Sequence, residues 1–205
     1  MLPAVVSLFQ QPDPPRCQTD GVFSSPNGRA FVVQYNCEDT LFARLFNLTT
    51  PDVSITPLPQ GYFINWSPDG QWLLFRDMEQ DEILLVPLNG RESQRLHLPP
   101  RTYSAAFEPD GQTVLYAASA GLGLGSEIGA LDLADGRLVT WQTFADQIAA
   151  HPAWSPDGRH LAYILMPDTN IPFVMGELWL ADPATGAPLT LFAQVDAGHG
   201  YAPVW

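Results

Sequence analysis

The chain has 205 residues, 22 of them acidic and 9 basic, for a formal charge of −13 at pH 7. All nine basic residues are arginines, which excludes Schiff-base lysine chemistry and a P-loop lysine. Nucleic-acid binding is also disfavoured, since it needs clustered positive charge. At 46% apolar the chain can bury one sizeable core, and its 20 prolines and 16 glycines favour turns over long helices.

The opening stretch from Met1 to Phe9 is apolar but short, and nothing positive precedes it, so no secretory signal is read there. No run approaches the roughly 18 consecutive apolar residues of a membrane-spanning helix.

Further along, one pattern recurs four times. Ser24-Ser25-Pro26-Asn27-Gly28 is followed by Trp66-Ser67-Pro68-Asp69-Gly70, Phe107-Glu108-Pro109-Asp110-Gly111 and Trp154-Ser155-Pro156-Asp157-Gly158. The prolines are 42, 41 and 47 residues apart, a period expected of stacked four-stranded units such as propeller blades. Proline presets the turn, Asp or Asn suits its third position, and glycine takes the left-handed one. A three-residue Pro-Asp-Gly loop is expected, pairing Ser155 with Arg159 and setting His160 opposite Trp154.

Apolar runs follow each turn at Ala30–Val33, Trp72–Phe75, Thr113–Tyr116 and Leu161–Ile164. They lack in/out alternation, so both faces of each strand are expected to be buried. Third strands are expected near 40–46, 82–86, 127–133 and 177–181. Fourth strands follow near 54–58, 94–98, 137–144 and 188–194. No stretch has convincing helical periodicity.

The Trp-Ser-Pro-Asp-Gly signature with its apolar run resembles the PD40 repeats of TolB-like β-propellers, over about residues 20–205. The first repeat departs by placing Ser24 where the others have Trp or Phe. The resemblance implies an all-β, partial propeller of about four antiparallel blades, extracytoplasmic or periplasmic. It also implies a non-enzymatic scaffold for a protein or peptide partner, with no cofactor. Two alternatives stay open: the non-catalytic propeller of a larger prolyl-oligopeptidase-like hydrolase, and a ligand-binding sensor ectodomain. The ends fit the same scheme. Residues 1–20 read as the outer strand of a preceding blade plus linker, because Val6–Gln10 resembles Leu189–Phe192. Residues 21–205 read as four blades and the first strand of a further one, Tyr201–Trp205. Four blades are fewer than the resemblance implies, so an open arc, or closure through another copy, is expected.

Candidate chemistry is sparse. The acidic Asp77–Glu82 loop lacks the glycine and glutamate of a calcium loop and reads as a solvated hairpin. Gly121–Ser126 lacks the third glycine of a dinucleotide motif and reads as an interstrand loop. The histidines have no metal-ligand spacing, and no nucleophile elbow occurs. Asp69, Asp110 and Asp157 read as turn residues. No catalytic or metal-binding residue is assigned.

Two expectations concern named positions. If opposed residues across the first hairpin sum to 54, Cys17 faces Cys37 and a disulfide can form, unless Gln18–Gly21 bends the chain away first. Such a bond would favour an oxidising compartment. The other concerns the connections at 59–65, 99–105, 145–153 and 195–203, which gather at one end of a propeller. They hold Tyr62, Tyr103, His151, His199 and Tyr201, with Asp146, Asp196 and a single arginine, Arg101. Tyr62, Tyr103 and Tyr201 each precede their repeat's aromatic by four residues, which puts ring and aromatic on one strand face. These five residues are the candidate interaction face for a partner with a cationic segment; packing between blades is the competing reading.

Overall fold

The computed structural model describes residues 17–48, 53–169 and 175–196. These residues form strands and no helix, in four antiparallel sheets of four consecutive strands each. Blade 1 holds β1 (Cys17–Ser24), β2 (Ala30–Cys37), β3 (Thr40–Asn47) and β4 (Ser54–Pro57). Blade 2 holds β5 (Gly61–Trp66), β6 (Trp72–Asp77), β7 (Glu82–Pro87) and β8 (Gln94–Arg95). Blade 3 holds β9 (Thr102–Phe107), β10 (Thr113–Ser119), β11 (Ser126–Asp132) and β12 (Leu138–Phe144). Blade 4 holds β13 (Gln147–Trp154), β14 (Leu161–Pro167), β15 (Met175–Ala181) and β16 (Pro188–Asp196). The first strand starts at Cys17, ahead of residue 21. The outer strand read at Val6–Gln10 and the strand read at Tyr201–Trp205 lie outside the described residues.

The repeated turn explains its own composition. In the second repeat the Gly70 amide donates to the Ser67 carbonyl at 2.9 Å, and the Ser67 amide donates to the Trp72 carbonyl at 2.9 Å. The Asp69 carboxylate accepts from the Ser67 hydroxyl at 2.6 Å and the Gln71 amide at 2.9 Å. Gly70 sits at φ +64°, where a Cβ would lie 2.6 Å from the Asn27 amide nitrogen of the previous blade. Asn27 in turn donates to the Asp69 and Gly70 carbonyls at 2.8 and 3.1 Å, tying turn to turn.

This geometry corrects the expected loop. It has four residues, not three, because the closing bonds pair Ser25 with Ala30 and Ser155 with His160. Trp154 therefore faces Leu161, and His160 lies opposite Ser155. In the first hairpin the longer loop offsets the pairing by one. A bulge at Asp20 restores it, so Cys17 still faces Cys37 and the two are joined in a disulfide.

The second strands are buried on both faces: Leu73, Leu74 and Phe75 are inaccessible, as are Val114 and Tyr116. Three clusters form the core between successive blades. Val32 and Leu45 pack against Leu73, Phe75 and Val86; Leu74 and Leu85 pack against Phe107 and Val114; Leu115 and Ile128 pack against Leu161 and Tyr163. The fourth strand of blade 2 is shorter than expected. Leu96 turns into the core, where its amide still bonds the Ile83 carbonyl at 3.0 Å. Pro99 and Pro100 then offer no donors to extend the ladder.

Candidate binding face

Antiparallel blades sort the loops into two ends. The four-residue turns and the third-to-fourth hairpins lie at one end, hereafter the turn end. The second-to-third hairpins and the links between blades lie at the other, the connection end. Tyr62 and Tyr103 fall toward the connection end, on β5 and β9 rather than in loops, whereas His151 lies on β13 between the Ala150–Ile164 and Ala153–Ala162 pairs, nearer the turn end than expected. His199 and Tyr201 lie outside the described residues.

Each first strand carries a bulge: near the connection end at Tyr103 in β9, in mid-strand at Asp20 in β1 and Ile64 in β5, and nearer the turn end at His151 and Pro152 in β13. A bulge inserts an unpaired residue and re-aims the strand. It also breaks the two-residue parity between Tyr62 and Trp66, so the even-spacing argument for one shared face does not hold.

Bulged backbone needs partners, and the neighbouring blade supplies them. Gln34, buried on β2, accepts from the Phe63 amide at 2.9 Å and donates to Asp20 at 2.5 Å. Arg76 occupies the same place on β6, four residues past the strand's start. It is 8% exposed, donates to the Thr102 carbonyl beside the β9 bulge, and pairs with Asp81. Blade 3 has Ala117 at that place, and the role passes to two other groups. Ser126 donates to the Gln147 carbonyl at 2.9 Å and accepts from the Ala149 amide at 2.8 Å. The Tyr103 hydroxyl donates to the Ala149 carbonyl.

These contacts assign the candidate residues. Tyr103 packs against the blade 3–blade 4 core with its hydroxyl satisfied, so it seals a junction. Burial pushes its phenol well above the ordinary value, which keeps it a donor. Tyr62 is half-buried and faces Arg76 across β5 and β6. His151 is half-buried at φ +53°, and burial holds its imidazole below the ordinary value, favouring the neutral form.

The connection end is more acidic than its links alone suggested. The hairpins add exposed Asp39, Glu79 and Asp81 to exposed Asp146. Asp77 is the exception within its loop: it is buried and accepts from the Glu79 and Gln80 amides at 2.9 and 3.1 Å. Neither Gln34 nor Arg76 is among the candidate residues that the sequence offers. The signal was there: each is a polar residue interrupting an apolar run at the same repeat position. Among the described residues no group of three or more His, Cys, Asp or Glu is placed to hold a metal ion.

No protein-family model matches the chain, and no curated protein matches it by sequence. Solved structures do. A putative TolB from Agrobacterium tumefaciens superposes with a TM-score of 0.71 at 17% identity, over 91% of this chain and 68% of that one. TolB from Acinetobacter baumannii gives 0.60 at 21% identity, over 87% of this chain and 45% of that one. A prolyl endopeptidase gives 0.65 at 17% identity, over 91% of this chain and 28% of that one. Four consecutive blades with one strand order, superposing on these structures, make the fold that of the TolB-like β-propellers.

Proposed function

We propose that the chain is a non-enzymatic propeller scaffold whose connection end binds a protein or peptide with a cationic segment. The charge at that end carries the reading. Asp39, Glu79 and Asp146 are exposed at that end, where Tyr62 is half-buried, Arg76 is buried and already paired, and exposed Arg101 donates to the Ala120 carbonyl. Such a field attracts and orients a cationic partner, and tyrosine adds contact area with a polar tip. The junction bonds at the bulges support a stiff platform rather than a moving one. An extracytoplasmic location accords with the Cys17–Cys37 disulfide, since such bonds persist in oxidising compartments.

Titration with a short oligolysine peptide tests this. Binding should weaken with salt, and Tyr62→Ala should weaken it roughly tenfold, the scale of one central anchor. Absence of binding, or binding indifferent to Tyr62→Ala, refutes the proposal. A second reading, the accessory propeller of a larger hydrolase, is favoured by the overlay of this chain on 28% of a prolyl endopeptidase. A Gly-x-Ser-x-Gly segment in the flanking reading frame would select it.

A further inference from the structure

The sequence contains Asn-Gly-Arg twice, at Asn27–Arg29 and Asn89–Arg91, in different blades and different kinds of hairpin. Both fold alike. The glycines take φ +68° and +75°, and each asparagine oxygen accepts the amide of its own arginine, at 3.0 and 3.1 Å. The fold brings both arginines to one cleft of about 530 Å³ between blades 1 and 2 at the turn end. That volume falls within the roughly 300–1,000 Å³ usual for small-ligand sites.

The cleft inverts the character of the chain. Leu45, Val86 and Leu88 give it an apolar floor, and Asn47, Thr56 and Gln71 give it neutral polar walls. Its described lining residues include no carboxylate, in a chain of 22 acidic residues. Neither Arg29 nor Arg91 has a side-chain partner among the described residues.

Two other turns show what is unusual here. Asp135-Gly136-Arg137 and Asp157-Gly158-Arg159 use the same device, with the aspartate accepting its arginine's amide at 2.8 and 3.1 Å. There the turn residue also carries a negative charge, and Arg159 lies 3.8 Å from Asp157. Asparagine at 27 and 89 keeps the turn without that charge. Among the described residues, no carboxylate pairs with the two guanidinium groups at the cleft.

We propose that this cleft binds a small oxyanionic ligand, a carboxylate or a phosphate, through Arg29 and Arg91. Guanidinium groups hold either oxyanion through paired charge-assisted hydrogen bonds. The inference is independent of the connection-end reading, because it concerns the opposite end of the blades.

Calorimetric titration of the purified chain with succinate and with inorganic phosphate, at constant ionic strength, tests it. Saturable binding of at least one anion is expected, and which one binds sets the ligand class. Arg29→Ala with Arg91→Ala should abolish the signal. Asn89→Asp keeps the turn but adds a compensating charge, and should weaken binding roughly tenfold, the scale of one charge-assisted bond. Arg137→Ala should change nothing. No saturable binding of either anion, retention in the double variant, or equal loss in Arg137→Ala would each overturn the proposal.

Discussion

The two ends of the blades carry similar residues put to different uses. At the turn end, Asp69, Asp110, Asp135 and Asp157 each accept a backbone amide two residues on, at 2.8–3.1 Å. Their charge is incidental, and asparagine replaces aspartate at 27 and 89 with the turn intact. At the connection end, exposed Glu79 and Asp146 project from hairpins and links, while buried polar groups stitch one blade to the next. A carboxylate count alone therefore misplaces the charge that is free to act on a partner. What matters is which carboxylates the backbone already occupies.

The contrast can be broken at several points, the largest effect first. The Cys17–Cys37 bond closes β1 against β2 at the connection end over a sequence separation of 20. Its reduction should cost about 3 kcal/mol, read as a lower denaturant midpoint with reductant present. Thiol titration of the unfolded, unreduced chain should find no free thiol; two per chain would contradict the bond.

Arg76→Met comes next, because it leaves the Thr102 carbonyl buried without its donor. A loss of about 2 kcal/mol is expected in chemical denaturation, more than for any exposed arginine. At the turn end Asp69→Ala should cost about 1 kcal/mol, whereas Asp69→Asn and Glu79→Ala should each stay within about 0.5 kcal/mol. Equal losses for Asp69→Asn and Asp69→Ala would mean that charge, not the accepted amide bond, matters at the turn.

The smallest effect is a pH dependence. Burial lowers the His151 value in the folded chain, so the unfolded chain takes up that proton more readily. Stability from this group is present above the ordinary histidine value of about 6.5 and is lost as pH falls below it. His151→Asn, which tolerates the left-handed backbone, should flatten that acid limb in denaturation curves measured at stepped pH. Asp157 acts in the same direction at lower pH. The Ser155 hydroxyl bond, first among its causes, holds its carboxyl below the usual range, so its contribution is lost on stronger acidification.

Blade architecture was legible because turn chemistry repeats: proline, Asp or Asn, and glycine at fixed offsets mark the first hairpin of each blade, and apolar runs mark the strands buried on both faces. Bulges were not legible. Nothing in Gly61–Trp66 announces that Ile64 is unpaired, yet that one residue separates the faces of Tyr62 and Trp66. A three-residue loop with no bulge also sets Cys17 opposite Cys37, because the four-residue loop and the Asp20 bulge shift the register in opposite senses and cancel. Tyr103 illustrates the limit for the site. Its spacing matched Tyr62, but only the packed neighbour reveals that its hydroxyl is spent on Ala149.

Two triple variants with the same change in net charge test the central claim most directly. One neutralises the connection end (Asp39→Asn, Glu79→Gln, Asp146→Asn), and the other the turn end (Asp69→Asn, Asp110→Asn, Asp135→Asn). Oligolysine affinity at fixed ionic strength should fall for the first and stay near the parent value for the second. Equal losses in both would show only a diffuse attraction to the whole acidic chain, and would contradict a binding face at the connection end.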